Sequence, residues 1–344
     1  FVILGALKLR LTVSPMFPNF GPDAIADRAG DAAAKVLVTR KNFLRKIEVV
    51  RAALPGLRHV LVTDAEGPVP GAAPWKPIFS AAADSFDIPH TDPDDPSILH
   101  YTSGSTGKPK GVLHRHGAAA FIARTAAEAL GLREGDRYWC TADQGWITGT
   151  SYGVIGPWAC GATQIHYGGQ YDPRAWLAVL EKEEVNVWYT APTALRMLMK
   201  EDRSFFERAR LGKLRHICSV GEPLNPEVIR WARRTLGKEI YETWFQTETG
   251  AIMVANRPGL EVRPGSMGKA VGGVEAEVLG DDGRPAPAGA RGELCLKAGW
   301  PSMFTAYLNN GPAYRSKFRD GFYRSGDVAF RDADGFIWFA GRGD

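Results

Sequence analysis

Residues 101–112, with the sequence YTSGSTGKPKGV, constrain the possible fold more than any other stretch of the chain. The glycines of this run allow the backbone conformations of a tight loop, and its hydroxyl side chains and two lysines suit an anion with several oxygens. Pro109 donates no backbone hydrogen bond, and short apolar runs flank the loop at residues 98–99 and 112–113. The pattern predicts a strand, an anion-binding loop and a second strand.

The spacing within this run excludes the common P-loop pattern, G-x-x-x-x-G-K-[ST]. Gly104 stands only three residues before Gly107, and Lys108 is followed by Pro109 where the pattern needs serine or threonine. A flexible Ser/Gly linker is the plain alternative, but linkers seldom place two lysines in a turn between strands. We therefore interpret the run as an anion-binding loop.

The composition is that of a globular protein, with 44% hydrophobic and 23% charged residues. A net charge of +4 is weak evidence for any partner, and the sequence has no basic run typical of DNA binding. The four cysteines (Cys140, Cys160, Cys218 and Cys295) lie far apart and form no C-x-x-C. This spacing favours buried thiols in a reducing cytosol over disulfides or zinc ligands.

Both ends of the chain fall inside a secondary-structure pattern. Residue 1 is Phe, and the apolar run that follows has no helix cap before it. A signal peptide would place its basic residues first. The chain stops at residue 344, soon after a strand-like run at residues 336–339. We expect a fragment of a longer protein.

Helix-like and strand-like runs alternate in the first 66 residues. Residues 24–30 have a helical composition, and residues 35–39 and 59–63 read as buried strands. This alternation predicts βαβ units and a parallel sheet. Residues 67–96 carry seven prolines and few periodic apolar positions, which predicts a surface connection.

After the loop, residues 117–130 are predicted to form an alanine-rich helix. His114 and His116 make an H-x-H pair, but without an identifiable third ligand a structural role is more common than a metal site. Residues 141–156 place glycines and small hydroxyls around Trp146. This segment either lets a substrate approach the backbone closely or forms a plain buried turn.

Strands are predicted at residues 185–190 and 216–220, with a helix at 192–200 between them. The second strand runs into a Gly-Glu-Pro turn at residues 221–223. In an open parallel sheet, ligands bind beyond the carboxyl ends of the strands, so this turn can offer a flat peptide surface to an adenine ring. Ordinary turn chemistry explains the residues equally well.

Residues 241–250, YETWFQTETG, combine two aromatic side chains with acids, an amide and hydroxyls. The polar groups of such a run would need burial partners in a plain core strand, so the run indicates an active-site wall. Simple packing is an equally good explanation for Trp244. Short β runs separated by Gly- and Pro-rich turns then predict an antiparallel β-subdomain within residues 264–297.

Together with the SGD at residues 325–327, these motifs resemble, in the same order, those of the adenylate-forming enzymes: acyl-CoA synthetases, luciferases and peptide-synthetase adenylation domains. The similarity is closest to the acetyl-CoA synthetase branch and covers nearly the whole chain. It implies an α/β fold of layered sheets with flanking helices and a small antiparallel β-subdomain. The implied parts are residues 1–97 (partial first α/β subdomain and connection), 98–261 (nucleotide- and acyl-binding subdomain) and 262–344 (β-subdomain ending at a hinge), with a lysine-bearing C-terminal domain absent.

The resemblance also implies roles for individual residues. The loop would bind ATP phosphates through Thr102, Ser103, Gly104, Ser105, Thr106, Gly107, Lys108 and Lys110. The AMP moiety would meet Gly221, Glu222, Pro223, Glu242, Thr243, Trp244, Gln246, Thr247, Asp327 and Arg342. The acyl pocket would consist of Ile147, Thr148, Val220 and Phe245. Thr247 would bind the α-phosphate, Glu248 would hold Mg²⁺, Asp327 would accept the ribose hydroxyls, and Asp344 would serve as the hinge, so that Thr247, Glu248 and Asp344 form the catalytic set.

The expected activity is that of an acyl-CoA synthetase, which makes acyl-AMP and pyrophosphate from a short carboxylate and ATP, then passes the acyl group to coenzyme A. We expect ATP, Mg²⁺ and coenzyme A as cofactor and co-substrates, no nucleic-acid or membrane partner, and a cytoplasmic location. Two alternatives stay open: an adenylating enzyme with another thiol acceptor, and a truncated nucleotide-binding fragment without full activity. Acetate-specific relatives typically have Trp where this chain has Phe245, so we expect a pocket not limited to acetate.

Overall fold

The computed structural model describes residues 1–102 and 107–343. These residues group into two compact units. The first comprises residues 1–116 and 304–314, and the second comprises residues 117–303 and the residues from 315 onward. The division into parts at residues 97/98 and 261/262 stays a prediction.

The first unit contains a small parallel sheet and an antiparallel sheet. Its elements are α1 (Val2–Lys8), α2 (Pro22–Asp31), β1 (Val36–Thr39), α3 (Leu44–Val50), β2 (His59–Val62), β3 (Ala73–Pro74), α4 (Trp75–Ala81), β4 (Pro96–Thr102), β5 (Lys110–Arg115), β15 (Ala306–Tyr307) and the start of α12 (Gly311–Ser316). Strands β1, β2 and β3 pair in parallel, and β15, β5 and β4 pair antiparallel. The predicted helix at residues 24–30 and the strands at 35–39 and 59–63 are confirmed within a residue or two at their ends.

The two strands predicted on either side of the anion-binding loop are also confirmed, and residues 103–106 of that loop lie outside the described residues. Strands β4 and β5 pair antiparallel, with Tyr101 opposite Gly111 and Thr102 opposite Lys110. Gly107, on the described side of the loop, has φ of +87°, a left-handed conformation that favours glycine. The prediction of a plain connection at residues 67–96 was incomplete, since this stretch contains β3 and α4. Pro74 precedes the helix and Pro77 lies in its first turn, where proline is tolerated because the N–H groups there have no helical partner.

The second unit is built on one sheet, which has twelve strands among the described residues. Its strands are β6 (Arg137–Cys140), β7 (Thr163–Ile165), β8 (Val187–Thr190), β9 (His216–Ser219), β10 (Ile240–Trp244), β11 (Val254–Ala255), β12 (Ser266–Ala270), β13 (Ala276–Leu279), β14 (Arg291–Lys297), β16 (Phe318–Arg319), β17 (Phe322–Arg331) and β18 (Ile337–Arg342). The strand order is β13-β14-β17-β18-β12-β11-β10-β9-β8-β6-β7, and β16 pairs with β17.

This sheet changes from parallel to antiparallel pairing at β10. On one side β10 pairs in parallel with β9, and on the other it pairs antiparallel with β11. Every residue of β8 and β9 is buried, as expected for parallel strands covered on both faces. Strand β17 instead alternates between buried and partly exposed residues, as antiparallel strands with one wetter face do.

Helices surround the parallel part of this sheet. They are α5 (Ala118–Ala129), α6 (Ile147–Thr150), α7 (Gly156–Ala159), α8 (Pro173–Lys182), α9 (Pro192–Leu198), α10 (Arg203–Phe206) and α11 (Pro226–Trp231). Helix α8 is capped by Asp172, whose side chain accepts the backbone N–H of Ala175, and proline occupies its first position. A core that includes Trp188, Leu195 and Ile217 joins these helices to the strands.

Two expectations need correction. Residues 141–156 do not form a plain turn, because α6 continues into a π-helical segment at Ser151–Ile155 and then α7. A Cβ on Gly149 would lie 2.0 Å from the carbonyl oxygen of Asp143, so this glycine is required for close internal packing of the segment. Among the four free thiols, only Cys218 and Cys295 are buried, whereas Cys140 and Cys160 are partly exposed.

No helix within the described residues is both long and apolar enough to cross a membrane.

Candidate functional site

A cavity of about 380 Å³ lies in the second unit beside β10, where the sheet changes from parallel to antiparallel. This volume is within the range of small-molecule sites. The cavity is lined by Gly221, Glu222, Pro223, Glu242, Thr243, Trp244, Phe245, Gln246, Met267, Asp327, Phe339 and Arg342. Nine of the ten residues predicted to meet the AMP moiety are in this lining; the tenth, Thr247, is not.

The turn at residues 221–223 follows the carboxyl end of β9, as predicted. Gly221 has φ of +97°, which a residue with a side chain rarely adopts. The carboxylate of Glu222 accepts hydrogen bonds from Thr193 Oγ1 at 2.7 Å and Arg196 Nη2 at 2.6 Å. Burial opposes ionisation of Glu222, but these hydrogen bonds and the Arg196 charge outweigh it and lower the pKa of the carboxyl. The turn is thereby tied to α9.

Glu242 and Thr243 on β10 are both buried. Thr243 Oγ1 donates to the carbonyl oxygen of Ser219 and lies 2.7 Å from the Tyr189 hydroxyl, so its polar group is used within the sheet. Glu242 accepts one hydrogen bond, from the backbone N–H of Leu224 to Oε1, whereas Oε2 has no hydrogen-bond partner among the described residues. Burial raises the pKa of Glu242 to about 8. The cavity therefore contains a carboxyl group that is largely neutral at pH 7.

Asp327 on β17 is almost fully buried, and its carboxylate is held by three side-chain donors. Trp244 Nε1 donates to Oδ2 at 2.8 Å and Gln246 Nε2 donates to the same oxygen at 3.1 Å. Arg342 Nη1 donates to Oδ1 at 2.8 Å, because Asp327 and Arg342 are directly opposite each other in the β17–β18 hairpin. The backbone N–H of Asp327 donates to Ser325 Oγ. Each carboxylate oxygen can accept two hydrogen bonds, so Oδ1 keeps acceptor capacity.

Thr247 and Glu248 follow β10 on a short 3₁₀ turn at Thr247–Thr249. The turn is closed by reciprocal hydrogen bonds between Gln246 and Thr249, and it ends at Gly250 with φ of +72°. Trp300 Nε1 and Ser302 Oγ both donate to the carbonyl oxygen of Thr249. The two predicted catalytic side chains are partly exposed and are not part of the cavity lining.

The predicted acyl residues are only partly brought to this cavity. Phe245 lines it, and its ring lies 5.4 Å from that of Tyr152 in an edge-to-face arrangement. Ile147 and Thr148 form the first turn of α6, and Val220 follows β9 with 8% of its surface exposed. These three residues do not line the cavity.

The predicted phosphate-binding residues belong to the first unit, and four of them are described. Thr102 ends β4, Gly107 and Lys108 are exposed, and Lys110 begins β5. Lys110 Nζ lies 5.6 Å from the centre of the Tyr307 ring. Ser103, Gly104, Ser105 and Thr106 lie outside the described residues, as does the predicted hinge Asp344. Within the described ranges, no cluster of three or more His, Cys, Asp or Glu is placed to hold a metal.

Sequence reasoning missed Met267, Phe339 and Tyr323. Met267 and Phe339 line the cavity, and the Tyr323 hydroxyl donates to Gln246 Oε1 at 2.7 Å. Residues 332–335 form a tight turn that pairs the strands on either side, and a register shift between Val328 and Ala329 brings Arg342, in place of Gly341, opposite Asp327. Nothing in the local sequence distinguishes Met267 from an ordinary core methionine.

Comparisons with known proteins agree with this geometry. The acetyl-coenzyme A synthetase of Bacillus subtilis (strain 168) is 44% identical, with 100% of this chain and 60% of the relative covered. The acetyl-coenzyme A synthetase of Pyrobaculum aerophilum is 38% identical, with 99% of this chain and 56% of the relative covered. The chain thus spans somewhat more than half the length of these relatives.

Solved structures give the same picture of the fold. The anthranilate CoA ligase AuaEII, crystallised with anthranoyl-AMP, matches with a TM-score of 0.92 at 30% identity, covering 99% of this chain and 65% of that one. An acyl-CoA synthetase of Brucella canis matches with a TM-score of 0.90 at 33% identity, covering 99% and 62%. The predicted α/β fold of layered sheets with an antiparallel part is confirmed. A family model described as AMP-binding enzyme matches residues 1–308, and the chain therefore belongs to the AMP-binding enzyme family.

Proposed function

We propose that this chain is the nucleotide-binding part of an AMP-forming acyl-CoA synthetase that activates a short-chain carboxylate. The observation that carries the proposal is the cavity beside β10, where the turn at residues 221–223 and the buried carboxylate of Asp327 line the same space. A flat peptide turn and a fixed acceptor are what an adenine ring and a ribose require. The acetyl-coenzyme A synthetase relatives support the same reaction class.

The AMP moiety would occupy the cavity with its adenine against residues 221–223, with Trp244 and Phe339 as further flat surfaces. The ribose hydroxyls would donate to Asp327, whose Oδ1 keeps acceptor capacity while Oδ2 is occupied by two donors. Arg342 would contact the same part of the nucleotide. A hydrogen bond from a ribose hydroxyl to an ionised carboxylate is stronger than a hydrogen bond to a neutral acceptor.

The chemistry requires the substrate carboxylate to attack the α-phosphorus in line with departing pyrophosphate. Positioning and charge stabilisation dominate reactions of this kind, so no side-chain nucleophile is needed. Thr102, Gly107, Lys108 and Lys110, with residues 103–106, would hold the β- and γ-phosphates. The Thr247 hydroxyl would donate to the α-phosphate, and Asp344 would act as the hinge for the thioester-forming step.

Glu248 would hold Mg²⁺. Its side chain is a partly exposed carboxylate on the turn that follows β10, and a single carboxylate together with substrate phosphates and water is the donor set that Mg²⁺ usually takes. When bound, the ion would neutralise charge that develops on the triphosphate. By holding the ion, Glu248 would fix the position of its positive charge relative to Thr247.

The preferred acid would be short without being strictly acetate. Phe245 lines the cavity, and Ile147, Thr148 and Val220 would complete the acyl pocket. A phenyl ring fills less space than the indole expected in acetate-specific relatives. Because an apolar pocket discriminates by only about 1–3 kcal/mol per methylene, propionate or butyrate would compete with acetate.

The remaining expectations are part of this proposal: three parts divided at residues 97/98 and 261/262, a cytoplasmic location, and no nucleic-acid or membrane partner. The acceptor thiol would be that of coenzyme A. A carrier-protein thiol is the alternative acceptor, and the nucleotide site by itself favours neither.

The test is an assay of the enzyme that contains this chain. Pyrophosphate release should depend on both ATP and a short carboxylate, and it should precede thioester formation with coenzyme A. Pyrophosphate release without transfer to coenzyme A, but with transfer to a carrier protein, would favour the alternative acceptor. Absence of carboxylate-dependent pyrophosphate release would contradict the proposal.

A further inference from the structure

Tyr323 is fully buried behind the cavity and is not part of its lining. Its ring is packed between Trp300, at 5.7 Å in an edge-to-face arrangement, and Phe318, at 5.8 Å. Its hydroxyl donates to Gln246 Oε1 at 2.7 Å, across 77 residues of sequence. The ring therefore belongs to the core, whereas the hydroxyl is aimed at a residue of the candidate nucleotide site.

This hydrogen bond completes the set that Gln246 can make. Its amide nitrogen donates to the carbonyl oxygen of Ser325 and to Asp327 Oδ2, both at 3.1 Å. Its amide oxygen accepts from the Tyr323 hydroxyl and from the backbone N–H of Thr249. With the oxygen and both N–H groups engaged, the amide has one orientation that satisfies all its partners.

The Tyr323 hydroxyl thereby influences Asp327 indirectly, through the amide of Gln246. Without this donor, Gln246 Oε1 would keep the backbone N–H of Thr249 as its remaining partner, and the amide could leave its hydrogen bond to Asp327 at lower cost. Oδ2 of Asp327 would then keep Trp244 as its remaining donor, and the carboxylate plane would lose one of the contacts that fix it. A carboxylate that can rotate presents Oδ1 less reliably to a ligand hydroxyl.

We propose that Tyr323 is a positioning residue for nucleotide binding: through Gln246, its hydroxyl holds the Asp327 carboxylate in the orientation that accepts the ribose hydroxyls. This rests on the proposed function, because it assumes that the cavity binds the AMP moiety. Tyr323 does not line the cavity, and the packing of its ring does not require the hydroxyl that has this role.

The experiment measures the dissociation constant of AMP by calorimetry for the protein and for Tyr323→Phe, which keeps the ring and removes the hydroxyl. We expect affinity to fall about two- to tenfold, the range for one lost neutral hydrogen bond. Tyr138→Phe is the matched control, since Tyr138 is equally buried on β6 and does not line the cavity. The control should leave AMP affinity unchanged, and both variants should show cooperative thermal unfolding.

Two further measurements separate positioning from general support of the fold. On a Gln246→Met background, Tyr323→Phe should cause no additional loss of affinity, because the proposed path runs through the amide. With 2′,3′-dideoxy-AMP, which has no ribose hydroxyls, Tyr323→Phe should have little effect in the otherwise unaltered protein. Neither result is expected if Tyr323 contributes only to core packing.

The possible outcomes distinguish the positioning role of Tyr323 from the proposed function. Unchanged AMP affinity in Tyr323→Phe, or an equal loss in the presence and absence of Gln246, would overturn the positioning role while leaving the proposed function intact. An equal loss for AMP and the dideoxy compound would also overturn it. Failure of the unsubstituted protein to bind AMP would overturn the proposed function, and the positioning role with it.

Discussion

The parallel and antiparallel parts of the large sheet contribute to the cavity in different ways. The parallel part contributes residues just beyond strand ends, namely the turn at 221–223 after β9 and Phe245 and Gln246 after β10. Strand β10, where the pairing changes, adds its last three residues, Glu242, Thr243 and Trp244. The antiparallel part contributes residues within its strands: Met267, Asp327, Phe339 and Arg342. One side of the cavity is thus made of residues at and beyond the ends of strands, and the other of residues within strands.

This difference follows from topology. Parallel strands are buried on both faces, so the places left for a ligand are the loops at their carboxyl ends. Antiparallel strands can leave one face open, so alternate side chains along them are available. We therefore expect substitutions after β10 to change the chemistry with little effect on stability, and substitutions in the β17–β18 hairpin to change both binding and stability.

The largest effect is expected from Glu248→Gln in the enzyme that contains this chain. Adenylation should slow by about two to three orders of magnitude, because loss of a metal-holding carboxylate removes several kcal/mol of charge stabilisation in the transition state. Thermal stability should hardly change, since Glu248 is partly exposed on a turn closed by Gln246 and Thr249. The measurement is carboxylate-dependent pyrophosphate release, with the exposed Glu207→Gln as control. A fall in unfolding temperature that parallels the loss of activity would make Glu248 structural.

Asp327→Asn tests the antiparallel side. Replacing the ionised acceptor weakens hydrogen bonds to charged groups worth about 1.5–3 kcal/mol each, so AMP affinity should fall about 10- to 100-fold. Stability should fall as well, because one amide oxygen cannot accept from Trp244, Gln246 and Arg342 as a carboxylate does. Calorimetry and thermal unfolding measure the two effects. Asp334→Asn, in the turn of the same hairpin, should leave AMP affinity unchanged. An equal loss of AMP affinity in both variants would show that the loss is not specific to the residue in the cavity.

Glu242 on β10 should make stability depend on pH. Because burial raises the pKa of Glu242 to about 8 from the ordinary 4.5, the folded state holds a proton that the unfolded state releases. The resulting stability is fully present below pH 4.5 and is lost as pH rises from there through 8, by about 2 kcal/mol between pH 6 and 8. Urea unfolding across this range should show the decline in the unsubstituted protein and a flatter profile in Glu242→Gln. Parallel profiles would mean that Glu242 is ionised in the fold.

The smallest effect is expected from Phe245→Trp. A larger ring should shift the ratio of kcat/KM values for acetate and propionate towards acetate by about five- to tenfold, the low end of the 1–3 kcal/mol that one methylene is worth in an apolar pocket. The measurement is competition between the two acids in the adenylation assay. An unchanged ratio would show that Phe245 does not face the acyl group, and the acyl pocket would then have to be sought elsewhere.

Most of the elements could be predicted from the sequence, because apolar runs and turn residues are local signals. The buried strands β8 and β9, the turn at 221–223 and the paired strands around residues 103–109 illustrate this. The motifs, in their order along the chain, also identified most of the residues that line the cavity. The helical structure of residues 147–159 was missed because its glycines serve close packing, which sequence does not distinguish from a turn.

What could not be predicted depends on long-range pairing. The change of strand direction at β10 rests on its pairing with the short strand β11, through Thr243 with Ala255 and Trp244 with Val254. The contact of Tyr323 with Gln246 and the placement of Met267 in the cavity wall follow from that pairing and not from local pattern. Met267 and Phe339, which lie within antiparallel strands, were therefore harder to identify than residues at the ends of parallel strands, whereas Asp327 was identified through its motif.

The central claim is that the cavity beside β10 binds the AMP moiety between the two parts of the sheet. A crystal structure of the protein with AMP tests it most directly. We predict adenine density against residues 221–223 and Phe339, with the ribose hydroxyls within hydrogen-bond distance of Asp327. Density for AMP at another site, with this cavity filled only by solvent at saturating AMP, would contradict the account.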